Sequence, residues 1–180
     1  MPAGSTKIVV GVDGSLSSRA ALRWAVRQAV VTDGTVKAVM AWHVPVSPYG
    51  YTWAPISVDE ADHLEEDARK VLDAAINEEV GPADRQRVTA RVINGHPAEV
   101  LLKAAAGADL LVVGSRGHGA FADALLGSVG QYCVHHAHCP VLIVRGEPHR
   151  AAGPAGVGPR LTGVAAAGPG SGAMSDPPPE

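Results

Sequence analysis

Residues 108–117 read ADLLVVGSRG, an apolar run followed by Gly114 and, three residues later, Gly117. A short run of mostly branched apolar residues between Gly107 and Gly114 is typical of a strand buried on both faces. Glycine at the end of such a strand lets the backbone turn sharply and lets a ligand approach the main chain without a Cβ in between. We therefore expect a buried strand that ends in a ligand-binding turn.

The glycine pattern continues downstream as Gly114-x2-Gly117-x9-Gly127-Ser128. Ser128 stands where a new helix is expected, and the first N–H groups of a helix have no partner inside it and favour anions. The pattern predicts a site for a phosphorylated small molecule. It is not the dinucleotide fingerprint, because the order of the glycines differs from G-x-G-x-x-G. It is not a P-loop either, because no Gly-Lys-Ser/Thr follows.

Strand and helix patterns alternate along the rest of the chain. Predicted strands cover 8–12, 36–44, 87–93, 108–113 and 141–144, and 45–57 is a long loop. Predicted helices run from a cap at Ser15 or Ser17 to about 32, then over 58–80, 98–106 and 128–136. This alternation favours an α/β fold with one open parallel five-stranded sheet flanked by helices. Ligands bind such a sheet beyond the carboxyl ends of its strands.

Composition narrows the class of protein. The chain has 180 residues, 46% of them hydrophobic, and a formal net charge of −3. It carries no block of Lys and Arg, so nucleic acid and membrane surfaces are not expected partners. No apolar run approaches the roughly 18 residues of a membrane span, and the N-terminus lacks the apolar middle of a signal peptide. Two cysteines make no disulfide framework, so we expect a cytoplasmic protein.

The composition changes near residue 146. Residues 146–180 are rich in Ala, Gly and Pro and poor in large apolar side chains. Such a segment buries too little surface to offset the entropy of ordering it. We expect a folded domain over 7–145 and a disordered tail over 146–180.

A second polar strand exit follows the first predicted strand, in the order Gly11-Val12-Asp13-Gly14-Ser15. Asp13 can accept hydrogen bonds from ribose hydroxyls or an adenine amino group, or help to hold Mg²⁺ through water. The same residues also suit an ordinary tight turn with a capping serine, and this alternative stays open.

Together these residues resemble the universal stress protein family, in particular its ATP-binding branch with the pattern G-x2-G-x9-G-S/T. The further matching segments are 9–15 (VVGVDGS), 43–44 (HV), 95–98 (GHPA) and 139–145 (CPVLIVR). The resemblance covers 7–145. It implies the strand order 3-2-1-4-5, a Rossmann-like sheet, and a homodimer joined through the last strand, 141–144. An apolar edge strand independently favours pairing with a partner.

The resemblance also implies ATP as the ligand, with Mg²⁺ or Mn²⁺ left open. Asp13 and the backbone of Val44 would face adenine, and Gly11 and Gly95 would line the pocket. The residues implied to surround ribose and phosphates are Gly114, Ser115, Arg116, Gly117, His118, Gly119, Ala120, Gly127, Ser128 and Val129. Arg116 and His118 are alternatively solvated loop cations.

Two features of the sequence suggest functions other than nucleotide binding. Five soft-metal ligands stand close together in Cys133-Val-His-His-Ala-His-Cys139. However, His138 and Cys139 lie at the predicted helix-to-strand turn, so we interpret Cys139, before Pro140, as a small core residue. No catalytic residue is assigned, because no G-x-S-x-G elbow or positioned base is found. We expect a nucleotide-dependent switch or sensor in the stress response. The alternatives are a slow ATP hydrolase and a nucleotide-free dimeric interaction module.

Overall fold

The structure is a computed structural model that describes residues 5–43, 58–117 and 126–146, with the backbone alone for 58–61. The strands are β1 (Lys7–Gly11), β2 (Thr35–Trp42), β3 (Val88–Asn94), β4 (Leu110–Gly114) and β5 (Val141–Val144). The helices are α1 (Leu16–Val31), α2 (Val58–Glu79), α3 (Pro97–Ala104) and α4 (Ser128–His136). A short 3-10 helix, Arg85–Arg87, precedes β3.

The five strands form one parallel sheet in the order β3-β2-β1-β4-β5. This arrangement confirms the predicted fold and strand order. The central strand β1 pairs with β2 through Ile8 and Val36 and with β4 through Ile8 and Leu110. The chain reverses its direction of winding between β1 and β4, which is where a crevice opens beyond the strand ends.

Each face of the sheet has its own apolar core. On one face α1 and α2 pack against the strands, with Leu22, Leu72 and Ile76 fully buried. On the other face α3 and α4 contribute Leu101 and Cys133 to a second cluster around Leu111. Parallel strands covered on both faces explain the near-continuous apolar runs in β1 and β4.

The element bounds follow the predicted ones closely. Helix α4 and strand β5 have the expected limits, and Pro97 takes the first position of α3, where its missing N–H costs nothing. Strand β4 begins at Leu110, later than expected, because the Ala108 N–H donates to the Ala105 carbonyl at 3.0 Å and closes the preceding turn.

Some predictions fall on residues that the structure does not describe. The loop at 45–57 lies within the gap from 44 to 57, and the predicted tail is outside the described ranges beyond Gly146. The division into a domain at 7–145 and a tail at 146–180 stays a prediction. Of the helices in the described part of the chain, none is long and apolar enough to cross a membrane.

Candidate functional site

A cavity of about 550 Å³ opens beyond the carboxyl ends of β1, β2 and β4. This volume lies within the usual range of small-molecule sites, roughly 300 to 1,000 Å³. The lining residues come from several elements: Gly11, Val12, Asp13, Ser18, Val39, Ala41, His43, Pro97, Leu101, Val113, Gly114, Arg116, Gly117, Leu126, Gly127, Ser128, Val129 and Gly130. Both polar strand exits found in the sequence therefore meet at one place.

The turn after β1 is held by its own polar groups. The Ser15 N–H donates to Asp13 Oδ1 at 3.0 Å, and Gly14 has φ +84°, a conformation that favours glycine. Ser15 is the N-cap of α1, since its hydroxyl accepts from the Ser18 N–H at 3.3 Å. The interpretation of this segment as a tight turn with a capping serine is therefore compatible with a ligand-binding role. The same turn places Asp13 in the cavity wall.

The segment after β4 lies against the first turn of α1. The Ser17 hydroxyl donates to the Arg116 carbonyl, and the Ser15 hydroxyl donates to the same oxygen at 3.3 Å. A Cβ built on Gly114 would lie 2.5 Å from Ser17 Oγ and 2.8 Å from the Ser18 nitrogen. Gly114 is therefore required for the close approach of β4 and α1, independently of any ligand.

Gly117 and Gly127 have different surroundings from Gly114. A Cβ on Gly117 would lie 2.5 Å from Asp13 Oδ2, so this glycine leaves room for a carboxylate. A Cβ on Gly127 would make only ordinary contacts, the nearest atom being 3.7 Å away. The Gly127 N–H donates to the Ser115 carbonyl at 2.8 Å, which brings the two ends of the 116–126 segment together.

The start of α4 is open toward the cavity. Gly127 is its N-cap and supplies no capping side chain, while Ser128, Val129 and Gly130 of the first turn all line the cavity. Unpaired N–H groups and the positive end of the helix dipole therefore border this wall. Helix α3 also begins at the cavity, with Pro97. The N-terminus of α4, with Arg116 near it, makes this side of the cavity favourable for an anion.

Most of the predicted site residues that are described come together here. Gly11, Asp13, Gly114, Arg116, Gly117, Gly127, Ser128 and Val129 line the cavity. Gly95 and Ser115 do not line it. The Gly95 N–H donates to the Trp42 carbonyl at 2.8 Å, and the Ser115 N–H donates to the Val144 carbonyl at 2.7 Å, so both act in the scaffold. Val44, His118, Gly119 and Ala120 lie outside the described residues.

The wall formed by β2 and α3 is not among the site residues predicted from the sequence. Val39, Ala41 and His43 alternate along β2 and its exit, and all three line the cavity with Leu101. The signal was present in the sequence, because residues two apart on a strand share a face. This spacing identifies a wall of the cavity only when the strands and helices next to β2 are known.

The cysteine and histidine cluster does not form a metal site in the described structure. Within residues 5–43, 58–117 and 126–146, no three His, Cys, Asp or Glu side chains converge. Cys133 is fully buried, and burial, together with the nearby Cys139, raises the pKa of its thiol to about 11. His135 Nδ1 lies 2.7 Å from the Gln131 carbonyl oxygen, and His136 Nδ1 lies 2.9 Å from that of Tyr132.

The sequence of this chain is similar to a known protein family. The model of the universal stress protein family matches residues 4–145. A universal stress protein of Mycolicibacterium smegmatis is 34% identical over 151 residues, which are 80% of this chain and 49% of that protein. The chain thus spans about half the length of this curated relative.

Solved structures show the same fold. The universal stress protein UspA from Lactobacillus plantarum superposes with a TM-score of 0.64 at 24% identity, covering 78% of this chain and 97% of that one. A universal stress protein in complex with cAMP superposes with a TM-score of 0.50 at 29% identity, covering 79% and 98%. Matching sequence over almost the entire described region and a shared sheet topology lead to one conclusion: the chain belongs to the universal stress protein family.

Proposed function

We propose that this chain binds ATP in the cavity and works as a nucleotide-dependent switch or sensor in the stress response. The observation that carries the proposal is the open N-terminus of α4 beside the Gly114–Gly117 segment, in a cavity of about 550 Å³. An anion would be stabilised there by the N–H groups at the start of α4 and by the helix dipole, and Arg116, which also lines the cavity, adds a positive charge nearby.

The cavity matches a nucleotide because its two ends differ in chemistry. On the β4 side it presents Arg116, Gly117, Gly127 and Ser128, which suit phosphate. On the β2 side the walls are mostly apolar, which suits a nucleobase. Strand β1 lies between these two sides in the sheet, so the ribose would lie across its carboxyl end.

The negative charge of Asp13 makes a cation necessary when a phosphate binds near it. Its Oδ2 lies beside Gly117, where the turn after β1 meets the glycine-containing segment after β4. A carboxylate and a phosphate repel each other unless a cation stands between them. We propose that Mg²⁺ or Mn²⁺ accompanies the nucleotide and that Asp13 contacts the ion through water, as hard divalent cations prefer oxygen ligands.

The cAMP complex of the 29% identical relative supports an adenine nucleotide as the class of ligand. ATP, and not only a monophosphate, is proposed because the glycine spacing ends in Gly127-Ser128, where additional phosphate oxygens would meet the α4 N-terminus.

Isothermal titration of the purified chain with ATP and Mg²⁺ tests the proposal. One ATP per chain is expected, and mass spectrometry of the protein as isolated should detect adenine nucleotide. A Gly127→Ala variant should bind more weakly, because its Cβ reduces the space in which phosphate approaches the α4 N–H groups. Absence of heat and of co-purified nucleotide would leave the nucleotide-free interaction module as the function.

A slow ATP hydrolase is the second alternative to a switch. We propose that the chain is not a rapid enzyme, because Asp13 is the only carboxylate among the described lining residues and its Oδ1 already accepts the Ser15 N–H. Release of phosphate faster than roughly 1 per second, the low end of ordinary enzymes, would contradict this.

We further propose a homodimer formed through β5 in a cytoplasmic protein. All four residues of Val141–Val144 are half-buried in the single chain, although their side chains are apolar. Strand β5 is at the edge of the sheet, so a partner strand would pair its free backbone groups. Sedimentation equilibrium should give twice the chain mass, and a single chain mass at micromolar concentration would rule the dimer out.

A further inference from the structure

We propose that His43 recognises the base of the bound nucleotide, an inference that rests on the proposed function. His43 lines the cavity at the exit of β2, on the same face as Val39 and Ala41. This wall lies on the opposite side of β1 from Arg116 and Ser128, where the phosphates are expected.

The surroundings of His43 are apolar. Val39 and Ala41 precede it along β2, and Pro97 and Leu101 of α3 form the adjoining wall. Among the described lining residues on this side, His43 is the one with a side chain that forms strong hydrogen bonds. An apolar pocket with one well-placed polar group is the usual arrangement for orienting a heterocycle.

The imidazole is available for a ligand. It is exposed, and it makes no hydrogen bond to another residue in the described part of the chain. Of the other polar lining groups near β1, the Ser18 hydroxyl donates to the Ser15 carbonyl at 3.0 Å, and Asp13 Oδ1 accepts from the Ser15 N–H, which leaves Asp13 Oδ2 for the proposed cation. His43 can stack on a purine and exchange a hydrogen bond with its ring nitrogens or amino group.

The test compares AMP with ribose 5-phosphate, which is the same molecule without its base. Affinities are measured by titration for the wild-type chain and for His43→Ala. His63→Ala serves as the matched control, since His63 is an exposed histidine on α2 that does not line the cavity. Thermal unfolding of each variant checks that the fold is retained.

His43→Ala should weaken AMP about tenfold, as expected for loss of one stacking or hydrogen-bonding contact to a base. Ribose 5-phosphate should bind equally well to both chains, and His63→Ala should match the wild type for both ligands. Unchanged AMP affinity in His43→Ala overturns the inference while nucleotide binding stands, and so does an equal loss for the two ligands. A wild-type chain that binds neither AMP nor ATP with Mg²⁺ overturns the proposed function and the role of His43 with it. If ATP binds and AMP does not, His43→Ala should weaken ATP about tenfold, and unchanged ATP affinity overturns the inference.

Discussion

The carboxylate of Asp13 faces the backbone of Gly117, so that a Cβ on residue 117 would lie 2.5 Å from Asp13 Oδ2. These residues follow different strands, β1 and β4, and meet only because the strands are neighbours. Their contact joins the nucleoside end of the proposed site to its phosphate end. Gly117, the second glycine of the motif, therefore leaves space for a side chain of the protein itself.

Gly117→Ala should weaken ATP binding about tenfold or more and leave the free energy of unfolding within about 1 kcal/mol of the wild type. The added methyl group displaces the end of a flexible side chain rather than backbone, so the site changes and the fold does not. Titration with ATP and denaturation with urea measure the two quantities. Gly81→Ala is the control, because a Cβ there would meet nothing within 4 Å. Equal ATP affinity in both variants would contradict the assignment of this contact.

Asp13→Ala should weaken binding of ATP with Mg²⁺ more than binding of ATP alone. The carboxylate attracts the cation, and without the cation it repels the phosphates. Titrations with and without Mg²⁺ measure both affinities. If Asp13→Ala weakened the two equally, the carboxylate would contact the nucleoside and not the ion.

Gly114→Ala should destabilise the protein by about 1 to 3 kcal/mol, as for other overpacked sites. Its Cβ would approach the Ser17 carbonyl carbon and the Ser18 nitrogen to 2.8 Å, and these backbone atoms move only if α1 moves. Gly127→Ala is the comparison within the same motif. Its nearest contact is 3.7 Å, and the loss at the helix cap should be about 1 kcal/mol or less. Urea unfolding would refute this distinction if the two variants were equally stable.

Leu22→Ala should cost about 2 to 5 kcal/mol, because Leu22 is 0% exposed in the core between the sheet and α1. Leu16 lies on the same helix and is 65% exposed, so Leu16→Ala should change stability by about 0.5 kcal/mol or less. Urea denaturation midpoints measure both. A small effect at Leu22 would mean that this core is not packed as described.

The stability of the protein should fall between about pH 9 and pH 11 through Cys133. Burial, reinforced by Cys139, raises the pKa of this thiol from 9.0 to about 11 in the folded chain. Above pH 9 the unfolded chain loses this proton first, so the folded chain binds more protons and the free energy of unfolding decreases as pH rises.

Urea unfolding at pH 8.5, 9.5 and 10.5 measures this effect. The decrease should be smaller in Cys133→Ala, whatever the stability of that variant at pH 8.5. Identical pH slopes in the two chains would show that the thiol titrates normally.

Cys139, which is only partly buried, should also react with thiol reagents before Cys133 does.

A chain that ends at Gly146 should keep the ATP affinity and the unfolding free energy of the full chain. The predicted tail has few large apolar side chains with which to stabilise the domain. A clear loss of either quantity on truncation would show that 147–180 contribute to the folded unit.

The sequence alone predicted the strands, the helices and the polar strand ends that line the cavity. These features are local, since the spacing of apolar residues and the placing of glycine, proline and serine are visible within one window of the chain. Helix α4 and strand β5 therefore have the predicted bounds.

Only the tertiary structure decided what the individual motif residues do. Gly114 packs against α1, Gly117 admits Asp13, and Ser115 supports β5, although all three stand in one motif. Their roles depend on atoms that are distant in sequence and close in space. For the same reason His43 became part of the cavity only when β2, α3 and β1 were assembled, because no local pattern specifies which walls face each other.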